Sequence, residues 1–430
     1  MKHIMLGKSV VVILLVLGFI VSGCVLRSST GVPTLKPSTS SPIRSNPTVP
    51  NPTAISSSPS ATPLELTLPL IMHARPEGTT QPELTSTTIL IPTATLTPTL
   101  TPTITLTPTA TATATPQPAA KITLLFTGVI VPARCVQSAI DWHADANYIY
   151  DEVRDVILSA DLAVGTLNTS LSDLSTHTGC IETYVLVSDS RSAVAAAAAG
   201  FDMMSVATNH IKNCNGPSCG NNYNQAFFDT LVNLRANNIL PVGAGDNMAD
   251  ALEPLVVEVK GVRFGFVSLG MVEPNAFAGE DSPGIAELTD ENLRSSIAAA
   301  KQVSDVVIAM PHWGPEDTSV PNSYQLHFAQ VAVEAGADVV VGNHTHVVQA
   351  IQQIDGIDVF YGLGNFVFDQ TWDLAHQQGV ILLLYFTGTQ YNGYEMIPTH
   401  VDGDGTVHIA GDSEAADILQ RIQQASDALK

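Results

Sequence analysis

From Lys121 onward the sequence predicts a mixed α/β fold, with two sheets packed together and helices outside. Three observations carry this expectation. Short apolar or β-branched runs alternate with stretches of helical period, a hairpin and two further strands interrupt the alternation, and several runs end in an imidazole or an amide. Chemistry in open α/β sheets gathers at such strand ends.

The elements follow in order. Ile122–Thr127 reads as the first buried strand, Tyr148–Leu158 as a helix and Asp161–Leu167 as the second strand. Arg191–Ala199 reads as a helix, Asp202–Ala207 as a strand and Tyr223–Ala236 as a helix. Leu255–Val259 and Val262–Leu269 form a hairpin turning at Lys260 and Gly261. Helix Asp290–Gln302, strand Asp305–Met310, helix Ser323–Ala335 and strands Asp338–Val341 and Ile357–Tyr361 resume the alternation. Val380–Phe386 and Tyr394–His400 add strands that point to a mixed sheet.

The N-terminal region cannot build such a core. Residues 1–23 combine a basic start at Lys2 and Lys8 with the apolar run VVVILLVLGFIV, the pattern of a secretory signal. Val21-Ser22-Gly23-Cys24 fits a lipoprotein processing site, with Cys24 lipidated as the mature N-terminus and the rest of the chain exported on a lipid anchor. Residues 24–119 turn to Pro, Thr and Ser, including TATLTPTLTPTITLTPTATATATPQP, and are expected to form a disordered, extended stalk. Residues 120–411 then make the folded domain, and 412–430 a C-terminal helix. The formal charge of −22 argues against nucleic acid as a partner.

Beyond Cys24 the cysteines are Cys135, Cys180, Cys214 and Cys219, an even number suited to an oxidising compartment. Three pairings are open. Cys214 with Cys219 and Cys135 with Cys180 is favoured, because Gly216 and Pro217 make a tight loop between the first two. Four thiolates around zinc fit less well, since no pair has zinc-ribbon spacing.

Three strand ends carry the candidate chemistry. MMSVATNH ends in Asn209 and His210, DVVIAMPHWG reaches His312, and VVVGNHTHVVQAI delivers His344 and His346. Taken singly, each has a structural explanation: His312 as a hydrogen-bonded core histidine beside Trp313, Asn209 and Asn365 as turn formers. Together they form a metal-binding or acid/base constellation assembled from distant segments.

These residues also carry a family resemblance. ITLLFTG, DLAVGTLNTSL, GFDMMSVATNH, ILPVGAG, HWG, GADVVVGNHTHVVQ and YGLGNFVFD stand in the order and spacing of CapA-like proteins of poly-γ-glutamate capsule synthesis, within the calcineurin-like metallophosphoesterase superfamily. The resemblance covers Lys121 to about Gly411. It implies a four-layer α/β/β/α sandwich with metal at strand ends, Asn209, His312, His344 and His346 as ligands, and His210 as the imidazole that protonates a leaving oxygen. It also implies partners in the capsule-synthesis machinery or an anionic surface polymer.

The chain departs from that pattern at its carboxylates. Val129 follows Gly128 where the family has Asp, Asn168 ends Thr166-Leu167-Asn168 where the family has Glu, and Asn213 replaces a frequent acidic residue after His210. The remaining neutral ligands suit at most one borderline ion, Zn²⁺ or Mn²⁺. Two readings follow: a degenerate family member with weak or no hydrolysis, or an active metal-dependent hydrolase or transferase of a phosphoester or γ-glutamyl linkage.

Overall fold

The computed structural model describes residues 119–174, 177, 179–213 and 224–430. The export signal, the stalk, Cys24, Cys214 and Cys219 lie outside the described residues.

Two sheets face each other. Across the first the order is Val407–Ile409, Gln390–Val401, Gln378–Thr387, Lys121–Ile130, Leu162–Leu167, Met203–Ser205 and Leu240–Val242. Its last four strands run parallel, while the hairpin Gln378–Val401 joins antiparallel on the other side of Lys121–Ile130, with Leu124 opposite Leu384. The second sheet is ordered Ile351–Ile354, Ile357–Phe360, Val339–Val341, Val306–His312, Val262–Gly270 and Leu255–Val259. Its four central strands are parallel and its two edges are antiparallel hairpins.

Period-two alternation explains the layering. Ile122, Leu124 and Phe126 turn toward the second sheet and meet Phe264, Phe266, Ile308 and Met310, whereas Leu125 and Ile130 turn outward under helices. Each buried side chain of this kind contributes about 1.5–3 kcal/mol. Phe264 reaches across to Phe386 with ring centroids 5.1 Å apart, and between the layers Ser205 Oγ pairs with Ser268 Oγ at 2.7 Å.

Helices cover both outer faces. Cys135–His143, Arg154–Leu158, Arg191–Ala199 and Gln225–Ala236 lie over the first sheet, and Met248–Leu252, Asp290–Val303 and Ser323–Ala335 over the second. The result is a four-layer α/β/β/α sandwich. Ser323–Ala335 starts at a capping box of Asn322 and Gln325 and stops at Gly336, whose φ of +100° needs glycine. The C-terminal helix Asp412–Asp427 bridges the edges of both sheets, burying Ile418 and Ile422 in the core between them.

One expected helix differs. Tyr148–Leu158 divides into a 3₁₀ turn, Asn147–Tyr150, and a short helix, Arg154–Leu158. Tertiary anchors override the local period here: Tyr148 Oη donates to the Asp404 carbonyl at 2.6 Å, and Arg154 reaches back to the Asn147 carbonyl at 3.1 Å. Cys135–His143 is a helix that the apolar pattern did not indicate.

Candidate metal centre

The parallel strands of both sheets deliver their C-terminal ends to one region, and every candidate residue after the first strand leaves from one of these ends. Two glycines allow the close approach this needs. A Cβ on Gly128 would stand 2.2 Å from the Gly364 carbonyl oxygen, where the first strand shifts its register to admit Asn365–Val367. A Cβ on Gly342 would stand 2.3 Å from Trp313 Nε1, the indole that pins the two loops by donating to the Tyr361 carbonyl at 2.9 Å.

Three of the expected ligands meet. His312 Nε2 lies 2.9 Å from Asn209 Oδ1 and 3.1 Å from His344 Nδ1, with all three residues buried. One Nε2–H can donate well to only one of these two acceptors, and His312 Nδ1 is buried with no hydrogen-bond partner among the described residues. His312 Nε2 thus stands about 3 Å from each of two other lone-pair atoms, a spacing that ligand atoms around one ion with bonds near 2.1 Å also take. The donor set fits a single divalent cation.

His346 lies beside this trio. Its ring centroid is 6.2 Å from that of His344, and its Nδ1 pairs with Asn365 Oδ1 at 2.8 Å. Asn365 Nδ2 donates in turn to Gln370 Oε1 and to the His376 carbonyl, so this asparagine orients an imidazole rather than merely closing a turn. The loop is held against its own preference: His344 has φ of +109° and His346 +60°.

Burial favours the neutral, ligating form of these rings. It drives His344 down to about 3, with His346 and His210 adding to the effect, and His346 down to about 4. His312 falls well below its ordinary value for the same cause. Burial also lowers His210, whose Nδ1 pairs with Asn213 Oδ1 and whose backbone N–H donates to Asn168 Oδ1 at 3.0 Å.

The departures from the family pattern are structurally consistent. Val129 packs with Val131, Ala133, Leu186 and Phe368 in a small apolar cluster. Asn168 is fully buried, and its Nδ2 has no partner among the described residues. Asn213 serves His210 and also accepts the Leu186 N–H at 3.1 Å.

Sequence reasoning missed Glu316. It stands on the loop after His312-Trp313-Gly314, with Oε1 3.9 Å from His344 Nε2 and 4.0 Å from His346 Nε2, and burial raises its carboxyl pKa. The signal was a carboxylate close behind a candidate ligand. Glu316, His210 and His346 line a cleft of about 440 Å³ together with Arg134, Tyr184 and Trp372.

Cys135 and Cys180 form a disulfide, the pairing favoured from sequence. Asp141, His177 and Asp189 bring ligand atoms within 4.8 Å of one another, but the Arg191 guanidinium pairs with both carboxylates, so an ion there would have to displace it.

Facing sheets between helical layers, with amide and imidazole donors at the strand ends, define a four-layer α/β/β/α sandwich with its candidate site at the strand ends. The chain belongs to the family described as bacterial capsule synthesis protein PGA_cap, which matches residues 123–370. It is 28% identical over 258 residues to the PGA biosynthesis protein CapA of Bacillus subtilis, covering 60% of this chain and 66% of that protein. It is 28% identical over 270 residues to the capsule biosynthesis protein CapA of Bacillus anthracis, covering 61% and 63%. The chain thus spans slightly less than two thirds of these relatives. A crystal structure of a novel phosphatase of Mycoplasma pneumoniae matches at TM-score 0.42 and 14% identity, over 65% of this chain and 94% of that one.

Proposed function

We propose that this chain serves poly-γ-glutamate capsule or related surface-polymer synthesis at the bacterial envelope, as an exported protein anchored by a lipid on Cys24. Family membership and the two CapA relatives support the setting. Its partners in this reading are the capsule-synthesis machinery and the polymer it handles. The domain holds one divalent ion, Zn²⁺ or Mn²⁺, on Asn209, His312 and His344, with His346 beside them. The supporting observation is that His312 Nε2 meets both Asn209 Oδ1 and His344 Nδ1, without carboxylates at positions 129 and 168. Bound there, such an ion polarises a phosphoryl or carbonyl oxygen. His210, held by Asn213 and Asn168, is the group placed to move a proton, and Asn168 Nδ2 offers a donor to a ligand oxygen. With so little negative charge to hold a second ion, hydrolysis is weak or absent.

Glu316 favours a second reading. A carboxylate about 4 Å from two imidazoles supplies part of the charge lost at Val129 and Asn168, which supports an active hydrolase or transferase. Elemental analysis of the purified protein with a phosphoesterase assay separates the two. The first reading expects at most one ion per chain and feeble turnover; two tightly held ions with robust turnover overturn it. Fatty-acid labelling that persists after Cys24→Ser refutes the anchor.

A further inference from the structure

His376 is a buried imidazole outside the donor trio. It is 3% exposed, and its polar atoms are all taken. Nε2 pairs with Asp317 Oδ1 at 2.7 Å, Nδ1 with Asp373 Oδ1 at 2.8 Å, and the backbone carbonyl accepts from Asn365 Nδ2 at 2.9 Å. The Trp372 ring packs on the imidazole with centroids 5.1 Å apart. Two of these bonds lead straight to the candidate centre.

The carbonyl decides the state of His346. A carbonyl oxygen only accepts, so Asn365 must turn its nitrogen to His376, which leaves Oδ1 for His346 Nδ1 at 2.8 Å. That oxygen also only accepts. Burial keeps the His346 ring neutral, with its pKa down at about 4, so its one hydrogen sits on Nδ1 and the lone pair stays on Nε2. Nε2 is the nitrogen 4.0 Å from Glu316 Oε1.

The ring decides the place of Glu316. Asp317, the next residue, has φ of +62°, a left-handed conformation that an aspartate keeps when both its ends are held. Both are held here. Its N–H donates to the Thr345 carbonyl at 3.1 Å, between His344 and His346, and its carboxylate meets His376 Nε2. One residue thus anchors the loop that carries Glu316 and the asparagine that orients His346. We propose that His376 is a positioning residue of the candidate centre, holding His346 with its Nε2 lone pair free and Glu316 beside it. The inference rests on reading the strand ends as a cation site, and it assigns the residue that sets two groups of that site.

Nitrogen NMR of the metal-free protein with labelled histidine rings tests it, the His346 signals being those lost in His346→Ala. The unmodified protein should carry the His346 hydrogen on Nδ1 alone. His376→Ala should give a mixture of both tautomers, Asp317→Ala should do so in part, and His376→Gln, whose amide can still donate to Asp317, should restore the single form. With Co²⁺ as the probe, His376→Ala should also weaken binding about tenfold or more and alter the visible spectrum, on the scale of other lost outer partners of metal ligands. The Asp317 side chain is 64% exposed, so Asp317→Ala keeps the test open where His376→Ala fails to fold. An unchanged His346 tautomer in these variants, with only Tm lowered, overturns the inference and leaves His376 a packing residue. Absence of Co²⁺ binding by the unmodified protein sinks the cation reading instead, and the metal-free spectra still decide the role of His376.

Discussion

Asn168 shows how one amide changes the chemistry of a site. A carboxylate there would present acceptors to a cation, whereas the buried Nδ2 presents a donor, with the amide oxygen already taken by the His210 N–H. On the proposed one-ion reading, metal binding then falls to the neutral trio, whose members are unequal. His312→Ala should remove most bound metal, because His312 Nε2 contacts both other donors, while His346→Ala should leave a larger share; mass-spectrometric metal content of the two variants checks this. Away from the site, His408 gives a pH signature. Partial burial opposes its charge, but hydrogen bonds to Glu152 and Asp402, each 2.8 Å, raise its pKa overall. A raised folded-state pKa contributes stability below the unfolded value of about 6.5 that is lost as pH climbs through the folded one. The Tm advantage over His408→Gln should therefore be full below about pH 6.5 and fade as pH rises above it; an advantage that grows with pH contradicts the assignment.

Most elements could be read from the chain because their patterns are local. Arg191–Ala199 and Ser323–Ala335 keep their expected bounds, since Gly200 and Gly336 stop them in left-handed conformations. The hairpin at Lys260 and Gly261 was legible for a similar reason, as both residues take positive φ. Leu240–Val242 and Asn365–Val367 were not, because Pro241 interrupts the first and Gly362, Gly364 and Asn365 break the apolar run at the second, so neither shows a strand pattern of its own. Asn209, His312 and His344 were legible through strand ends, whereas Glu316, Arg134 and Trp372 sit on loops whose meeting only the fold reveals. The end of the first strand offers a test. Val129→Asp places a carboxylate in the cluster of Val131, Leu186 and Phe368, and without added ion should cost roughly 3 kcal/mol or more. Paired with Asn168→Glu it should raise metal content and make Tm depend on Zn²⁺ or Mn²⁺. Equal Tm with chelator and with ion would show that the two carboxylates do not rebuild a site.

The sandwich as a whole is closed by its last helix. Ile418 is fully buried between the sheets, and Gln378 ties the helix to the first sheet through Glu414 at 2.7 Å and Arg421 at 2.8 Å. Ile418→Ala should cost about 2–5 kcal/mol in denaturant unfolding, far more than an appended surface helix would show; a loss below about 0.5 kcal/mol, the scale of surface substitutions, would mean the helix is dispensable.

The pairing of Leu124 with Leu384 sets an order of assembly. The first strand of the sandwich is central, yet one of its two long neighbours, Gln378–Thr387, comes near the end of the chain. Until that segment arrives, one full edge of Lys121–Ile130 has unpaired backbone groups that invite pairing with other chains. Such sequence-distant contacts fold slowly, so a chain interrupted before Gln378 is expected to aggregate rather than leave a smaller working domain.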